Sequence, residues 1–230
     1  MNLVQRSYHK ELLDADDIPF EDIRQNMKEL DTINTLLGGH AITIAGFKQL
    51  AGKRSPITIC EIGCGGGDNL AAIVRWANRN HVSVHCTGID IKQECVDYAR
   101  LQWQGSAATW IASDYKNVTF ESKPDIIFSS LFCHHFTNEE LIHQLSWMKS
   151  NASAGFFIND LQRHPMAYQS IKILTRLFSS SYLVKNDAPL SVARGFKKNE
   201  WQALLEKAGI INYSISWKWA FRYLITCNNG

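Results

Sequence analysis

The chain has 230 residues, with 24 lysines and arginines against 22 aspartates and glutamates, for a formal net charge of +2. That length suits one domain with a sizeable core. The near balance of charge argues against an obligate nucleic-acid binder, which carries a basic excess.

The cysteines at 60, 64, 86, 95, 133 and 227 form no Cys-x-x-Cys pair, so neither a zinc site nor a disulfide framework is expected. There is no basic-then-apolar leader and no apolar run long enough to span a bilayer. A cytoplasmic protein with reduced thiols and no membrane insertion is expected.

Residues 1–18 are polar, with acids at Glu11, Asp14, Asp16 and Asp17. They read either as a frayed tail or as a short helix that closes over a site. Pro19 suits the first position of a helix, where its missing N–H costs little. Ile23, Met27, Leu30 and Leu37 recur at helical spacing, and Gly38-Gly39 ends the run. A second helix over about 40–50 leads into a loop over 52–56.

The stretch 57–70, ITICEIGCGGGDNL, begins as a β-branched apolar run. It passes through Gly63-Cys64-Gly65-Gly66-Gly67 into a helical pattern of Leu70, Ala71, Ile73, Val74 and Ala77. Glycines in a strand-to-helix turn permit positive φ and close approach to a ligand, and the free N–H groups of the helix start face it. Two acids sharpen this signal. Glu61 lies inside the strand, and Asp90 ends the next one, residues 82–91. Asp90 stands about twenty residues past the glycines, where a second parallel strand delivers a carboxylate to ribose hydroxyls.

A helix over 92–102 and a third strand over 108–112 lead to Ser113-Asp114-Tyr115. A fourth strand over 125–130 precedes a loop holding His134-His135, and Thr137 caps the next helix with Glu139 and Glu140 in its first turn. A fifth strand over 155–159 precedes Asp160-Leu161-Gln162-Arg163-His164-Pro165. Ligands of open parallel sheets bind outside the carboxyl ends of the strands, where strand order reverses. The loops after strands four and five therefore face the site. An apolar helix over 166–183 reads as a lid, 188–196 as an irregular loop, and 199–208 as the last helix, stopped by Gly209. Strands over about 211–217 and 221–227 make a terminal hairpin.

Glu61 to Gly67, together with Asp90, resemble the class I S-adenosylmethionine-dependent methyltransferases, most closely the small-molecule type 11 or ubiquinone-biosynthesis-like group. The resemblance implies an α/β fold: a Rossmann-like sheet of seven mostly parallel strands in the order 3-2-1-4-5-7-6, the last antiparallel. N-terminal cap helices and a helical insertion after strand five complete it. Within a single domain it implies a cap (1–52), a cofactor core (56–160), a substrate lid (161–198) and a last helix with hairpin (199–230).

The implied cofactor is S-adenosyl-L-methionine, with S-adenosyl-L-homocysteine as product. The implied cofactor residues are Glu61, Gly63, Cys64, Gly65, Gly67, Asn69, Asp90, Ile91, Asp114, Tyr115 and Ser130. Asp90 would hold the ribose, Asp114 would cap the adenine amino group, and Tyr115 would pack on the ring. The segments NDLQRHPMAY and DAPLSVARGF resemble methyltransferases associated with bacterial type III polyketide synthases, which implies O-methylation of a phenol.

Methyl transfer is an in-line displacement with a neutral thioether leaving group. The enzyme aligns the nucleophile, excludes water and, for a hydroxyl acceptor, removes a proton. Histidine has the right pKa for that task. His134, His135 and His164 are the candidates, each with a cap or packing role as the alternative. Arg163 and Arg194 are candidates for an acidic group on the acceptor, or for fixing loops. His40 and Asn34 lie within reach from the cap helices.

The segment after strand four lacks the Asn/Asp-Pro-Pro-aromatic motif of base-amino methyltransferases. Asp160 alone does not supply a catechol-type metal set, so no metal is expected. A small-molecule acceptor and a monomer or homodimer are expected. A non-catalytic cofactor-binding accessory subunit and a nicotinamide-dependent oxidoreductase are the other readings, and the latter leaves the terminal hairpin unexplained.

Overall fold

The computed structural model describes residues 3–15, 17–103 and 108–229, so Asp16 lies outside the described residues. Two helices, α1 (Phe20–Leu36) and α2 (Gly39–Ala51), precede β1 (Ile57–Ile62). There follow α3 (Asp68–Arg79), β2 (Val84–Asp90), α4 (Gln93–Gln102), β3 (Ala108–Ala112), β4 (Ile126–Ser130), α5 (Asn138–Asn151) and β5 (Gly155–Leu161). The chain continues through α6 (Pro165–Phe178), α7 (Tyr182–Arg194), α8 (Lys198–Lys207), β6 (Tyr213–Lys218) and β7 (Arg222–Asn228). The seven strands lie in the order β3-β2-β1-β4-β5-β7-β6. β7 runs antiparallel to both of its neighbours and the other pairs are parallel. This is the expected Rossmann-like sheet.

Alternation along the strands assigns the two layers. Ile57 and Ile59 of β1, Ile126 and Phe128 of β4 and Phe157 of β5 pack with Phe47, Leu70 and Ile73 of α2 and α3. Cys60, Ile62, Ile127, Phe156 and Ile158 face Leu141, Leu145, Trp201 and Leu205 of α5 and α8. The helix α2 lies so close to β5 that a Cβ on Gly46 would stand 2.6 Å from the Phe157 ring. The same parity runs into the strand ends. Glu61, Ser130 and Asn159 fall on the α2–α3 side, and Asp160 falls on the α5 side. The crossovers after β1 and β4 leave on opposite faces, so the sheet splits at their carboxyl ends.

Three segments differ from the sequence reading. The apolar stretch 166–183 is two helices, broken after Phe178. Glu29 of α1 accepts the amides of Ser180 and Ser181, each at 3.1 Å, and the Ser180 hydroxyl at 2.8 Å. That carboxylate fixes the turn. Residues 188–194, expected as part of an irregular loop over 188–196, belong to α7. Its N-cap Ser181 and its buried Leu183, Val184, Val192 and Ala193 outweigh the missing proline amide. β5 extends to Leu161 and so takes Asp160 into the sheet.

The N-terminal residues form a strap across the loops. Arg6 donates to the carbonyls of Arg194 (2.8 Å) and Phe136 (2.6 Å). The amides of Leu12 and Leu13, in a short 3-10 turn, donate to Asp187 at 2.8 and 3.0 Å. Among the described residues, no helix is long and apolar enough to cross a membrane.

Candidate active site

A cavity of about 860 Å³ opens at the carboxyl ends of β1, β2 and β4, within the range of pockets that take drug-sized ligands. The glycine loop lines it. Gly63, Gly65 and Gly67 have φ of +68°, +48° and +77°, values that side chains seldom adopt. Gly63 is constrained a second time, because a Cβ there would stand 2.3 Å from the ring of Phe132. Gly67 is the N-cap of α3, so the first amides of that helix lie beside the cavity.

Asp90, at the end of β2, accepts from the amides of Gly65 at 2.9 Å and Lys92 at 3.0 Å. Burial pushes its carboxyl up, and those amides oppose the shift. Each carboxylate oxygen retains capacity for another donor. The two oxygens thus suit a vicinal diol at the cavity wall. Glu61 stands behind the loop, fully buried and away from the cavity. One of its oxygens accepts from Asn69 Nδ2 at 3.0 Å; the other has no hydrogen-bond partner. Burial, then the charges of Asp68 and Asp90, hold this carboxyl well above the usual range. Asn69 itself lines the cavity.

Asp114 and Tyr115 line another part of the cavity wall with Tyr98 and Gln102. One Asp114 oxygen accepts the Lys116 amide at 3.0 Å, an Asx turn. Tyr115 is held edge-on between Trp147, with centroids 5.1 Å apart, and Phe136. Cys64, Ile91 and Ser130 also line the cavity, and Ser130 accepts from Asn159 Nδ2 at 3.3 Å.

The loop after β4 carries the histidine pair into a buried polar cluster. His134 Nδ1 lies 2.8 Å from Asp160 Oδ1, and its amide donates to the other Asp160 oxygen at 3.2 Å. His135 Nδ1 lies 2.9 Å from Asp14 of the strap. Burial works against the charges on Asp160 and Asp14, yet their histidine partners hold both carboxyls below the usual range. Burial pushes Glu11, also on the strap, up to about 7. Of the pair, His135 lines the cavity, together with Asp14 and Leu13.

Residues 59–155 match the sequence profile of the family described as "Methyltransferase domain". That match covers 97 of the 230 residues, from β1 to the start of β5. Solved methyltransferases share the chain's fold. The plantazolicin methyltransferase BpumL in complex with SAH is 20% identical, with a TM-score of 0.68 over 94% of this chain and 92% of that one. Human N-acetylserotonin methyltransferase in complex with SAM is 16% identical, with a TM-score of 0.64 over 92% of this chain and 56% of that one. Magnesium protoporphyrin IX methyltransferase from Synechocystis PCC 6803 with bound SAH is 16% identical, with a TM-score of 0.55 over 94% and 90%. A comparison with curated protein sequences finds no match.

The residues singled out from the sequence separate into two groups. Gly63, Cys64, Gly65, Gly67, Asn69, Asp90, Ile91, Asp114, Tyr115, Ser130 and His135 share the cavity; Glu61 and His134 stand directly behind it. His164 is elsewhere. Its Nδ1 caps α6 by accepting the Met166 amide at 3.2 Å, and its ring stacks on Phe221.

Arg163 is buried and paired with Glu200 through bonds of 2.6 and 3.1 Å, and it also donates to the Gly195 carbonyl. Arg194 donates to the carbonyls of His134 (3.0 Å) and His135 (2.7 Å) and to Asp14 at 2.9 Å. Neither arginine lines the cavity. From the cap helices, Asn34 reaches the cavity, whereas His40 bonds to Asp68 at 2.8 Å beside it. The sequence reading leaves Glu11 and Asp14 in a segment read as a frayed tail or as a short helix closing over a site, and Asp160 in the loop after strand five, and pairs none of them with the histidines.

Proposed function

We propose that this methyltransferase domain transfers the methyl group of S-adenosylmethionine to a hydroxyl of a small apolar or phenolic acceptor. The observation that carries the reading is one cavity that joins the glycine loop and Asp90 to the His135–Asp14 pair. S-adenosylmethionine supplies a sulfonium-bound methyl that a nucleophile takes in line, leaving S-adenosylhomocysteine. The SAH- and SAM-bound relatives of the same fold support this cofactor.

Asp90 accepts from the ribose hydroxyls. Asp114 and Tyr115 bound the base, and the glycine loop with Asn69 holds the amino-acid end. Glu61 acts through Asn69. Met27, Leu30, Phe132 and Phe136 give the acceptor an apolar wall that excludes water. In the metal-free enzyme, His135 donates Nδ1–H to Asp14 and takes the acceptor's proton at Nε2. His134 holds the loop through Asp160, and His164, Arg163 and Arg194 act as structural fasteners. The buried free cysteines support a reducing compartment such as the cytoplasm, for a monomer or homodimer.

The test is SAH release and product mass with a panel of alkylphenols, carboxylic acids and amines. The expected result is a methylated phenol. His135→Gln should slow single turnover by about 100-fold or more at neutral pH, and the loss should shrink as the pH approaches the phenol's own pKa. His164→Gln should keep the wild-type rate. Methylation of amines alone, or a His135→Gln variant at full rate, overturns the hydroxyl reading. Cofactor binding without turnover on any acceptor overturns the enzyme reading in favour of an accessory subunit.

A further inference from the structure

We propose that Glu11, His134 and His135 form a binding site for one divalent cation of the zinc type, which clamps the N-terminal strap onto the loop after β4. The site does not rest on the hydroxyl-methylation reading. It departs from the sequence expectation of no metal, because its donors are far apart along the chain.

The first argument is convergence. Glu11 Oε1 lies 3.6 Å from His134 Nε2, and Glu11 Oε2 lies 3.9 Å from His135 Nε2. The three donor atoms lie within 4.8 Å of one another. Zinc bound tetrahedrally at about 2.0–2.2 Å holds its ligands about 3.4 Å apart, so small side-chain shifts close the set. These separations are too long for direct hydrogen bonds, and Glu11 and His134 are buried away from bulk water.

The second argument is the surrounding shell. Each histidine has its other ring nitrogen on a carboxylate, Asp160 at 2.8 Å and Asp14 at 2.9 Å. A metal-ligating imidazole makes that bond, which fixes the tautomer and turns the Nε2 lone pair to the ion. Glu11 is steadied in turn by the Ser191 hydroxyl at 2.8 Å.

The third argument is charge. Four carboxylates (Glu11, Asp14, Asp160, Asp187) meet the guanidiniums of Arg6, Arg194 and Arg222 around the pair. Carboxyl groups therefore outnumber guanidiniums there, an environment that favours a bound cation. Two nitrogens and one carboxylate suit zinc or cobalt rather than magnesium or calcium. Three protein donors also leave a fourth position for water or an acceptor oxygen. A cation held there would take His135 as a ligand and would supply Lewis acidity beside the cavity that His135 lines. The neighbouring cluster of Asp31, His40 and Asp68 differs, because His40 Nε2 is already bonded to Asp68 at 2.8 Å.

The experiment is titration of the chelator-stripped full chain with zinc by calorimetry, and with cobalt by visible absorption. One equivalent of zinc per chain and a tetrahedral cobalt spectrum are expected. Glu11→Gln and His135→Gln should each abolish both, and Asp31→Asn should leave both unchanged. Asp14→Asn leaves the three donors in place and should weaken zinc binding by about 10–100-fold; it keeps the test open if a ligand variant fails to fold. Absence of stoichiometric binding by the wild type overturns the proposal. So does binding that survives both Glu11→Gln and His135→Gln.

Discussion

Replacing Glu61 by glutamine probes a carboxyl sealed inside the sheet. Glu61 is fully buried, with one oxygen on Asn69 and the other unpartnered. Burial and the charges of Asp68 and Asp90 hold its carboxyl well above the usual range. A carboxyl raised by folding contributes its stability fully below the unfolded value of about 4.3 and loses it as pH rises toward the folded value. Each pH unit in that interval costs about 1.4 kcal/mol. Glutamine develops no charge and keeps an oxygen for Asn69. Its unpaired N–H costs at most about 1–3 kcal/mol at every pH. The difference in Tm, variant minus wild type, should therefore climb by roughly 3–5 °C per pH unit for a chain of this size. Scanning calorimetry of chelator-treated protein from about pH 5 to 8 reads it. Parallel Tm profiles, or a variant that loses ground as pH rises, refute the reasoning.

Two further perturbations act on the loop and the strap. Gly63→Ala places a Cβ 2.3 Å from the Phe132 ring at φ +68°; it should lose about 2–4 kcal/mol in urea denaturation and abolish adenosyl-ligand binding. Asp187→Ala removes the acceptor for the Leu12 and Leu13 amides. Trypsin should then cut after the exposed Lys10 about tenfold faster, while the melting temperature of the sheet shifts by only a few degrees.

The legible parts of this chain are those whose determinants are local. The strand, glycine turn and helix at 57–79 follow from period-two and helical spacing within one window, and Asp90 is marked by the length of one crossover. Thr137 is read as the cap of the next helix from its place before Glu139 and Glu140, and the structure shows Glu140 completing a capping box with it. The break between α6 and α7 was hidden because Glu29, which fixes it, lies about 150 residues earlier in the chain. The histidine cluster was hidden for the same reason: Glu11 and Asp14 come from the strap, Asp160 from β5 and Arg194 from α7. Strand parity settles the direction of Asp160, but only once β5 is known to extend to Leu161. Pro165 at the first turn of α6 does identify His164 as a cap, a local cue that favoured the structural role.

The most direct test of the central claim is calorimetric titration with S-adenosylmethionine, S-adenosylhomocysteine and NAD, using Asp90→Ala as the control. The account expects micromolar binding of both adenosyl ligands and none of NAD. It also expects Asp90→Ala to weaken adenosyl binding by about 10–150-fold, the equivalent of losing about 1.5–3 kcal/mol of charged hydrogen bonding. NAD binding, or adenosyl binding equally tight in the variant, would contradict it.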